Sequence, residues 1–359
     1  MRRARRILPP IRPRVATPTP STQPLSRLIS KQFNMATAAV NPSQALPCPS
    51  LHDVPGGVRA KPVDPIGDMR DLAFLKSDVH APFESIGCLF DYLRANPAHA
   101  DALNATYPTR GVFKTAAVSN GSSDQKLTID LSPKRLNYIP SDIKLSLAPY
   151  GFGQVLRFFD ELTTKHLDQI LASLGAAIGV DLFPIHKTRN INFRLCDYTP
   201  DTAAPESQNG CGAHRDYGTF SIIFQDGTAG LEIESATQPG SWVPVPATQV
   251  VVLCGWSAFI VSGGQLRAVR HRVRRQPGVR RLSAVLFVAP DLDVALRPIT
   301  TIDHRVNFSP VILDGGIDVR WFKEFMGKRW RWREGNAQLD DGEHITQDQD
   351  IERLILGQH

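Results

Sequence analysis

The sequence lacks several features that would assign it to a familiar class of protein. It has no run of about eighteen apolar residues, so no transmembrane helix is predicted. Its five cysteines are scattered and form no Cys-x-x-Cys pair, which argues against a disulfide framework and fits a reducing compartment. With 42% hydrophobic and 21% charged residues, the composition is that of an ordinary globular protein.

Acidic residues are absent from residues 1–52, which contain seven arginines and one lysine. The whole chain has a formal net charge of +6, so the remaining residues carry a net charge of −2. A nucleic-acid partner is therefore not expected, because that function needs a basic face on the folded domain itself. Residues 1–52 are predicted to be a disordered basic tail, an organellar transit segment, or an extended start before an initiator at Met35. We expect a cytoplasmic protein, or a mitochondrial or other organellar one if the segment is a transit signal.

Helical periodicity marks the regions on either side of a β-rich centre. Residues 53–180 are expected to form an amino-terminal helical region, with helices over 82–95 and 155–178. Residues 316–359 are expected to form a carboxy-terminal helix, over 319–330, followed by a tail.

Between these regions, residues 181–315 contain short apolar runs separated by glycine or proline. Such a pattern favours a mainly β fold with flanking helices, as an antiparallel sandwich or barrel. The candidate strands are 190–196, 213–224, 229–235, 241–245, 249–254, 257–262, 268–274 and 281–289.

Three potential metal ligands lie in this β-rich region. His214 and Asp216 are two residues apart, so both side chains would point to one face of an extended strand. His271 follows after enough chain to cross a sheet several times. Two imidazoles and one carboxylate are the facial triad of non-haem Fe(II) oxygenases, which leaves coordination positions open. A His-x-Asp pair alone is weak support, because such pairs arise by chance on solvated turns.

Arg281 and Ser283 follow His271 and are again two residues apart. An arginine fork with a neighbouring hydroxyl suits a carboxylate, because guanidinium pairs with carboxylate through two hydrogen bonds. Arg280 would take this role if the strand register slipped by one residue, but the period-two spacing favours Arg281.

In this order and spacing, His214-x-Asp216, His271 and Arg281-x-Ser283 resemble the Fe(II)/2-oxoglutarate-dependent dioxygenases of the isopenicillin N synthase-like family. The resemblance covers roughly residues 80–335 and is strongest from 190 to 290. It implies a double-stranded β-helix, also called a jelly roll, with Fe(II) bound by the three ligands. It also implies 2-oxoglutarate and dioxygen as co-substrates.

The resemblance further implies that the far carboxylate of 2-oxoglutarate meets Arg281 and Ser283. Tyr198 matches a family tyrosine that helps to bind 2-oxoglutarate, but the asparagine usual two residues earlier is Cys196 here. Tyr198 therefore either assists alone or only packs. Arg194 either binds a carboxylate or is paired structurally.

The segment from Cys254-Gly255 to Arg270-His271 is similar to the cephalosporin ring-expanding synthases. This similarity implies either a small, carboxylated substrate or only a shared loop conformation that the glycine pair allows. Leu195 and Asp197 stand where those enzymes have basic residues, so ring expansion itself is not predicted. We predict oxidation of a small organic molecule in secondary metabolism by hydroxylation, desaturation or ring chemistry, with no membrane partner. The alternatives are an oxidase of the same fold that uses no 2-oxoglutarate and a non-catalytic binding protein.

Overall fold

The structure, a computed structural model, describes residues 72–74, 79–107, 112–114, 124–203, 207–333 and 347–357. The predicted basic tail at 1–52 lies outside these residues. Every helix within the described ranges is too short or too polar to span a bilayer.

The described part of the chain contains thirteen strands, most of them short. They are β1 (Leu72–Phe74), β2 (Phe113–Lys114), β3 (Leu127–Leu131), β4 (Asn190–Tyr198), β5 (Asn209–His214), β6 (Phe220–Gln225), β7 (Leu231–Glu234), β8 (Trp242–Pro244), β9 (Val251–Cys254), β10 (His271–Arg274), β11 (Arg281–Ala289), β12 (Ala295–Leu296) and β13 (Ile317–Asp318).

Ten α-helices flank these strands in the described ranges. They are α1 (Phe83–Ala95), α2 (Pro97–Ala105), α3 (Pro133–Tyr138), α4 (Ser141–Leu147), α5 (Phe152–Glu161), α6 (Leu167–Ile178), α7 (Trp256–Val261), α8 (Pro310–Asp314), α9 (Val319–Arg333) and α10 (Gln347–Ile355). The predicted helices over 82–95 and 319–330 are confirmed as α1 and α9.

The predicted helix over 155–178 is interrupted by a π-helical turn at Leu162–His166, between α5 and α6. The hydroxyl of Thr163 donates to the Phe159 carbonyl at 3.1 Å, and that of Thr164 donates to the Asp160 carbonyl at 2.8 Å. Threonine hydroxyls that bond the preceding turn compete with regular helical hydrogen bonds and bend the helix.

Two antiparallel sheets stack against each other. The larger has the strand order β1-β9-β6-β11-β4-β3-β2, and the smaller has the order β5-β10-β7-β8. Their facing side chains share one apolar core, which is the packing of a jelly roll. Buried members of this core include Cys196, Tyr198, Ile223, Val251, Leu253 and Val285 from the larger sheet and Cys211, Leu231 and Val273 from the smaller.

Strand β11 lies at the centre of the larger sheet, between β4 and β6. Eight of its nine residues are buried, which explains why Arg281–Ala289 is almost continuously apolar in sequence. Its alternation places Arg281, Ser283 and Phe287 on one face. That face is turned toward the smaller sheet, because Val285 belongs to the shared core.

Two of the predicted strands are wrong. Residues 257–262 fall largely in helix α7, since a short apolar run cannot distinguish a buried strand from a buried helix. The predicted strand at 213–224 is two strands, β5 and β6, joined by a turn. A Cβ at Gly218 would lie 2.4 Å from the Val288 carbonyl oxygen, so this turn requires glycine for its close approach to β11.

Candidate metal centre

His214, Asp216 and His271 meet between the two sheets. His214 ends β5, His271 begins β10, and the strand register sets the two residues opposite each other with ring centroids 4.3 Å apart. Asp216 follows in the turn, not on a strand as the sequence predicted. Its Oδ1 is 3.6 Å from Nε2 of His214, and its Oδ2 is 4.0 Å from Nε2 of His271. All three residues are buried, and one ligand atom from each lies within 4.8 Å of the others.

Both histidines are oriented by backbone carbonyls. Nδ1 of His214 donates to the Gly212 carbonyl at 2.8 Å, and Nδ1 of His271 donates to the Val269 carbonyl at 3.1 Å. Because a carbonyl can only accept, this arrangement assigns the proton to Nδ1 and leaves the Nε2 lone pair for a metal. The two Nε2 atoms are also the ones directed at Asp216.

Asp216 is held as a charged carboxylate. Burial alone would raise its pKa, but His271, His214 and a hydrogen bond from the Ser221 hydroxyl together hold the pKa of Asp216 below its ordinary value. The backbone is fixed as well, because the Trp256 amide donates to the Asp216 carbonyl at 2.8 Å. Two imidazoles and one carboxylate form a donor set that fits Fe(II).

Removing the Ser221 hydroxyl is expected to weaken metal binding. Outer partners that orient a ligand typically account for about 10- to 100-fold in metal affinity, and Ser221→Ala should lose a factor in that range. An anaerobic titration with Fe(II) measures the change. Ser221→Thr keeps a hydroxyl on a strand and serves as the control, so equal weakening in both variants would contradict this role.

Arg281 is the first residue of β11, and its buried guanidinium has one unused hydrogen-bond donor. Its Nε donates to the Thr228 carbonyl at 3.2 Å and its Nη2 donates to Oε1 of Gln225 at 3.1 Å. Its Nη1 is buried and has no hydrogen-bond partner among the described residues. No carboxylate of the described chain is within ion-pair distance of Arg281. A buried guanidinium without a counter-ion is suited to an anionic ligand.

Arg280, the alternative in the event of a register slip, faces the other way. Its Nη2 is 2.7 Å from Oδ2 of Asp197 and its Nη1 is 2.9 Å from Oδ2 of Asp91, so both ends of its fork are engaged. Arg281 is instead paired in register with Tyr198, and its guanidinium carbon lies 5.2 Å from the centre of that tyrosine ring. The structure therefore brings Arg281 and Tyr198 together inside the sandwich.

Ser283 and Tyr198 are both buried on the interior side. Ser283 is opposite Cys196 on β4 and Gln225 on β6, in the row of residues next to Arg281. Burial raises the pKa of Tyr198 well above its ordinary value, so this phenol remains protonated and can donate a hydrogen bond.

Arg194 has the structural role that the sequence left open. Its Nε donates to Oδ1 of Asp130 at 2.8 Å and its Nη2 donates to Oδ2 at 3.1 Å. The pair joins β4 to β3, where the two residues are in register. This two-bond contact offsets the charge of both side chains.

A buried cluster of Asp124, Lys126 and Cys211 lies beside the site. Nζ of Lys126 lies 3.0 Å from Oδ2 of Asp124 and 3.1 Å from Sγ of Cys211. Cys211 thus contacts this ion pair and does not join the three metal ligands. Burial would lower the pKa of Lys126, but Asp124 and the nearby thiols outweigh it and raise that pKa well above its usual range. The spacing of Asp124 and Lys126 was a local signal of this ion pair in the sequence. Their contact with Cys211 could not be predicted from it, because Cys211 is 85 residues from Lys126 in the chain.

Asp124→Asn is expected to destabilise the fold strongly. Asp124 and Lys126 are 1% and 5% exposed, so the substitution leaves a buried ammonium without its counter-charge. Breaking such a pair costs about 3–5 kcal/mol of unfolding free energy, measurable by urea denaturation. The double variant Asp124→Asn/Lys126→Met removes both charges and should recover part of the loss. Stability within about 0.5 kcal/mol of the wild type for Asp124→Asn would contradict this account.

The central region of the chain matches a known family model and is similar in sequence to several characterised proteins. Residues 190–290 match the sequence model of the 2OG-Fe(II) oxygenase superfamily. The chain is 30% identical over 192 residues to 1-aminocyclopropane-1-carboxylate oxidase 3 of Arabidopsis thaliana, covering 52% of this chain and 58% of that protein. It is 33% identical over 210 residues to the proline hydroxylase buaE of Petromyces alliaceus, covering 54% and 65%. The chain therefore spans less than two thirds of these relatives.

Solved structures show the same fold. A full-length Neurospora crassa protein, crystallised in complex with alpha-KG, superposes with a TM-score of 0.52 at 16% identity, covering 68% of this chain and 82% of that one. The dioxygenase for auxin oxidation 1 of Arabidopsis thaliana, in a 2-oxoglutarate complex, gives 0.50 at 21% identity, covering 62% and 84%. The predicted double-stranded β-helix is thereby confirmed. Within the described residues its strands do not close into a barrel.

Proposed function

We propose that the chain is an Fe(II)- and 2-oxoglutarate-dependent dioxygenase acting on a small organic molecule, because residues 190–290 match the sequence model of the 2OG-Fe(II) oxygenase superfamily. The observation that carries the proposal is the convergence of His214, Asp216 and His271 on one buried point, with both Nε2 atoms and a charged carboxylate directed at it. Three ligands from one side leave the other positions of a metal open for substrates.

Each residue has a defined part in this proposal. His214, Asp216 and His271 hold Fe(II), and Arg281 binds the far carboxylate of 2-oxoglutarate through its unused Nη1, assisted by the Ser283 hydroxyl. Tyr198 supports the guanidinium from its ring face and presents its phenolic proton to the same ligand. When bound, Fe(II), 2-oxoglutarate and dioxygen would together supply the oxidation of a substrate C–H bond, with 2-oxoglutarate converted to succinate and carbon dioxide.

The surrounding protein excludes water from this chemistry. Apolar side chains of both sheets line the interior between Arg281 and the three ligands, including Ile223, Val285 and Val273. In such an environment the hydrogen bonds and charges that fix the ligands act more strongly than they would in water.

The proposed substrate is a small acid, oxidised by hydroxylation, desaturation or ring chemistry in secondary metabolism. The names of two relatives support this class, because one acts on proline and another on 1-aminocyclopropane-1-carboxylate. A net charge of −2 outside residues 1–52 gives no general attraction for nucleic acid. We also propose that the protein acts in the cytoplasm.

The test is succinate formation in the presence of Fe(II), 2-oxoglutarate, dioxygen and a panel of small acids that includes proline. One succinate should form for each substrate oxidised, and both should require the metal. Substrate oxidation without succinate would instead identify an oxidase of the same fold. An absence of oxygen consumption across the panel would indicate a binding protein.

A further inference from the structure

Two cationic side chains donate to asparagines of β4 that are two residues apart, and neither has an acidic partner in the described part of the chain. Nζ of Lys323, from α9, donates to Oδ1 of Asn190 at 2.8 Å, and Nη1 of Arg135, from α3, donates to Oδ1 of Asn192 at 3.1 Å. Both acceptors are neutral amides. Within the described ranges, no carboxylate is within ion-pair distance of either cation.

These cations lie on the metal-bearing face of the larger sheet. Asn192 is opposite Phe287 of β11, and Phe287 is opposite Ser221 of β6. Directly opposed residues share a face, so Asn192, Phe287 and Ser221 form one row across the sheet. Ser221 bonds Asp216, which fixes the metal site at the far end of that row. Two strand spacings of about 4.8 Å separate Asn192 from Ser221, or roughly 10 Å.

The local electrostatics favour an anion between the two cations. Nε of Arg135 is buried and has no hydrogen-bond partner in the described part of the chain. Burial, together with the charges of Arg135, Lys134 and Arg320, lowers the pKa of Lys323 to about 8. A partly buried positive charge that has no acidic partner and one unused donor is costly, and a bound anion would relieve that cost.

The carboxylate that lies nearby in the hydrogen-bond network is already engaged. Asp130 accepts from Nδ2 of Asn192 at 2.9 Å, but both its oxygens are bound by Arg194. Its charge is therefore offset by Arg194, and the Arg135–Lys323 pair keeps its positive charge.

We propose that Arg135 and Lys323 form the subsite for the carboxylate of the oxidised substrate. This inference rests on the proposed function, because it directs the rest of that substrate along β4 and β11 toward His214, Asp216 and His271. The subsite is separate from Arg281, which lies six residues before Phe287 on β11, or about 20 Å along the strand. The two carboxylates would therefore bind at separate positions along the strand.

The direct test uses acetate as a minimal carboxylate probe. The full chain, loaded with Fe(II) and saturating 2-oxoglutarate under argon so that Arg281 is occupied, is titrated calorimetrically at constant ionic strength. Saturable acetate binding is expected in the wild type. Lys323→Gln and Arg135→Gln should each weaken it by about tenfold or more, because each removes a charge-assisted hydrogen bond. Lys323→Arg keeps the charge and should retain binding.

Lys328→Gln removes an exposed charge from the same helix and is the matched control, expected to bind acetate as the wild type does. Equal acetate affinity in the wild type and both glutamine variants would overturn the subsite, and so would the absence of saturable acetate binding. In either case, binding of 2-oxoglutarate would still uphold the proposed function. If the protein bound acetate in a Lys323-dependent way but did not bind 2-oxoglutarate, the anion site would be upheld and the proposed function would be overturned. In the turnover panel, acids should stimulate succinate formation and their primary amides should not, and equal stimulation would also overturn the subsite.

Discussion

Asp216→Ala is expected to abolish Fe(II) binding at concentrations that saturate the wild type, which means an affinity loss well beyond about 100-fold. Losing an outer hydrogen bond to a ligand already costs about 10- to 100-fold, and this variant loses the ligand itself. Asp216 is also the only anion of the three, so its removal leaves two neutral imidazoles to hold a divalent cation. The measurement is an anaerobic equilibrium titration of the metal-free protein with Fe(II).

The matched control is Asp293→Ala, which removes an exposed aspartate from the same chain. It should bind Fe(II) with wild-type affinity, and circular dichroism should show both variants folded. Unchanged Fe(II) affinity in Asp216→Ala would remove this residue from the ligand set.

Arg281→Met is expected to raise the dissociation constant of 2-oxoglutarate by about 100-fold or more while leaving Fe(II) affinity unchanged. A hydrogen bond to a charged group contributes about 1.5–3 kcal/mol, and a guanidinium makes up to two such bonds to one carboxylate. The effect on the metal is small, because Arg281 makes no contact with His214, Asp216 or His271. Calorimetric titration of the Fe(II)-loaded protein with 2-oxoglutarate under argon measures the first effect, and an anaerobic Fe(II) titration of the metal-free protein measures the second.

Arg280→Met separates the two neighbouring arginines. Arg280 pairs with Asp197, which is fully buried, and with Asp91, so its loss should lower the free energy of unfolding. Its guanidinium does not face the interior, so the affinity for 2-oxoglutarate should stay at the wild-type value. A loss of 2-oxoglutarate affinity in Arg280→Met as large as that in Arg281→Met would show that the two arginines had been assigned the wrong way round.

The pattern of short strands predicted an antiparallel sandwich or barrel, and the family resemblance implied the jelly roll. The choice of Arg281 over Arg280 came from the fixed period of two along a strand. In β11 that period sets Arg281 and Ser283 on the inner face and excludes Arg280 from it. The pairing of His214 with His271 was not readable from spacing, because it depends on the register between β5 and β10. His271 was a candidate third ligand from its place in the β-rich region, and the family resemblance supported it.

Two parts of the site could not be predicted from sequence, each for a physical reason. Asp216 lies in a turn in which Gly218 closely approaches the Val288 carbonyl, and that contact depends on tertiary packing. Lys323 and Arg135 come from helices far apart in the chain and meet only through two asparagines of β4. Local periodicity carries no information about such a meeting.

The most direct test of the three-ligand site is the visible absorption spectrum after anaerobic addition of 2-oxoglutarate to the Fe(II)-loaded protein. A weak charge-transfer band that saturates at one equivalent of each is predicted for the wild type. The band should be absent in Asp216→Ala and should require more 2-oxoglutarate in Arg281→Met. A wild-type protein without the band, or an Asp216→Ala variant that retains it, would contradict the proposed metal centre.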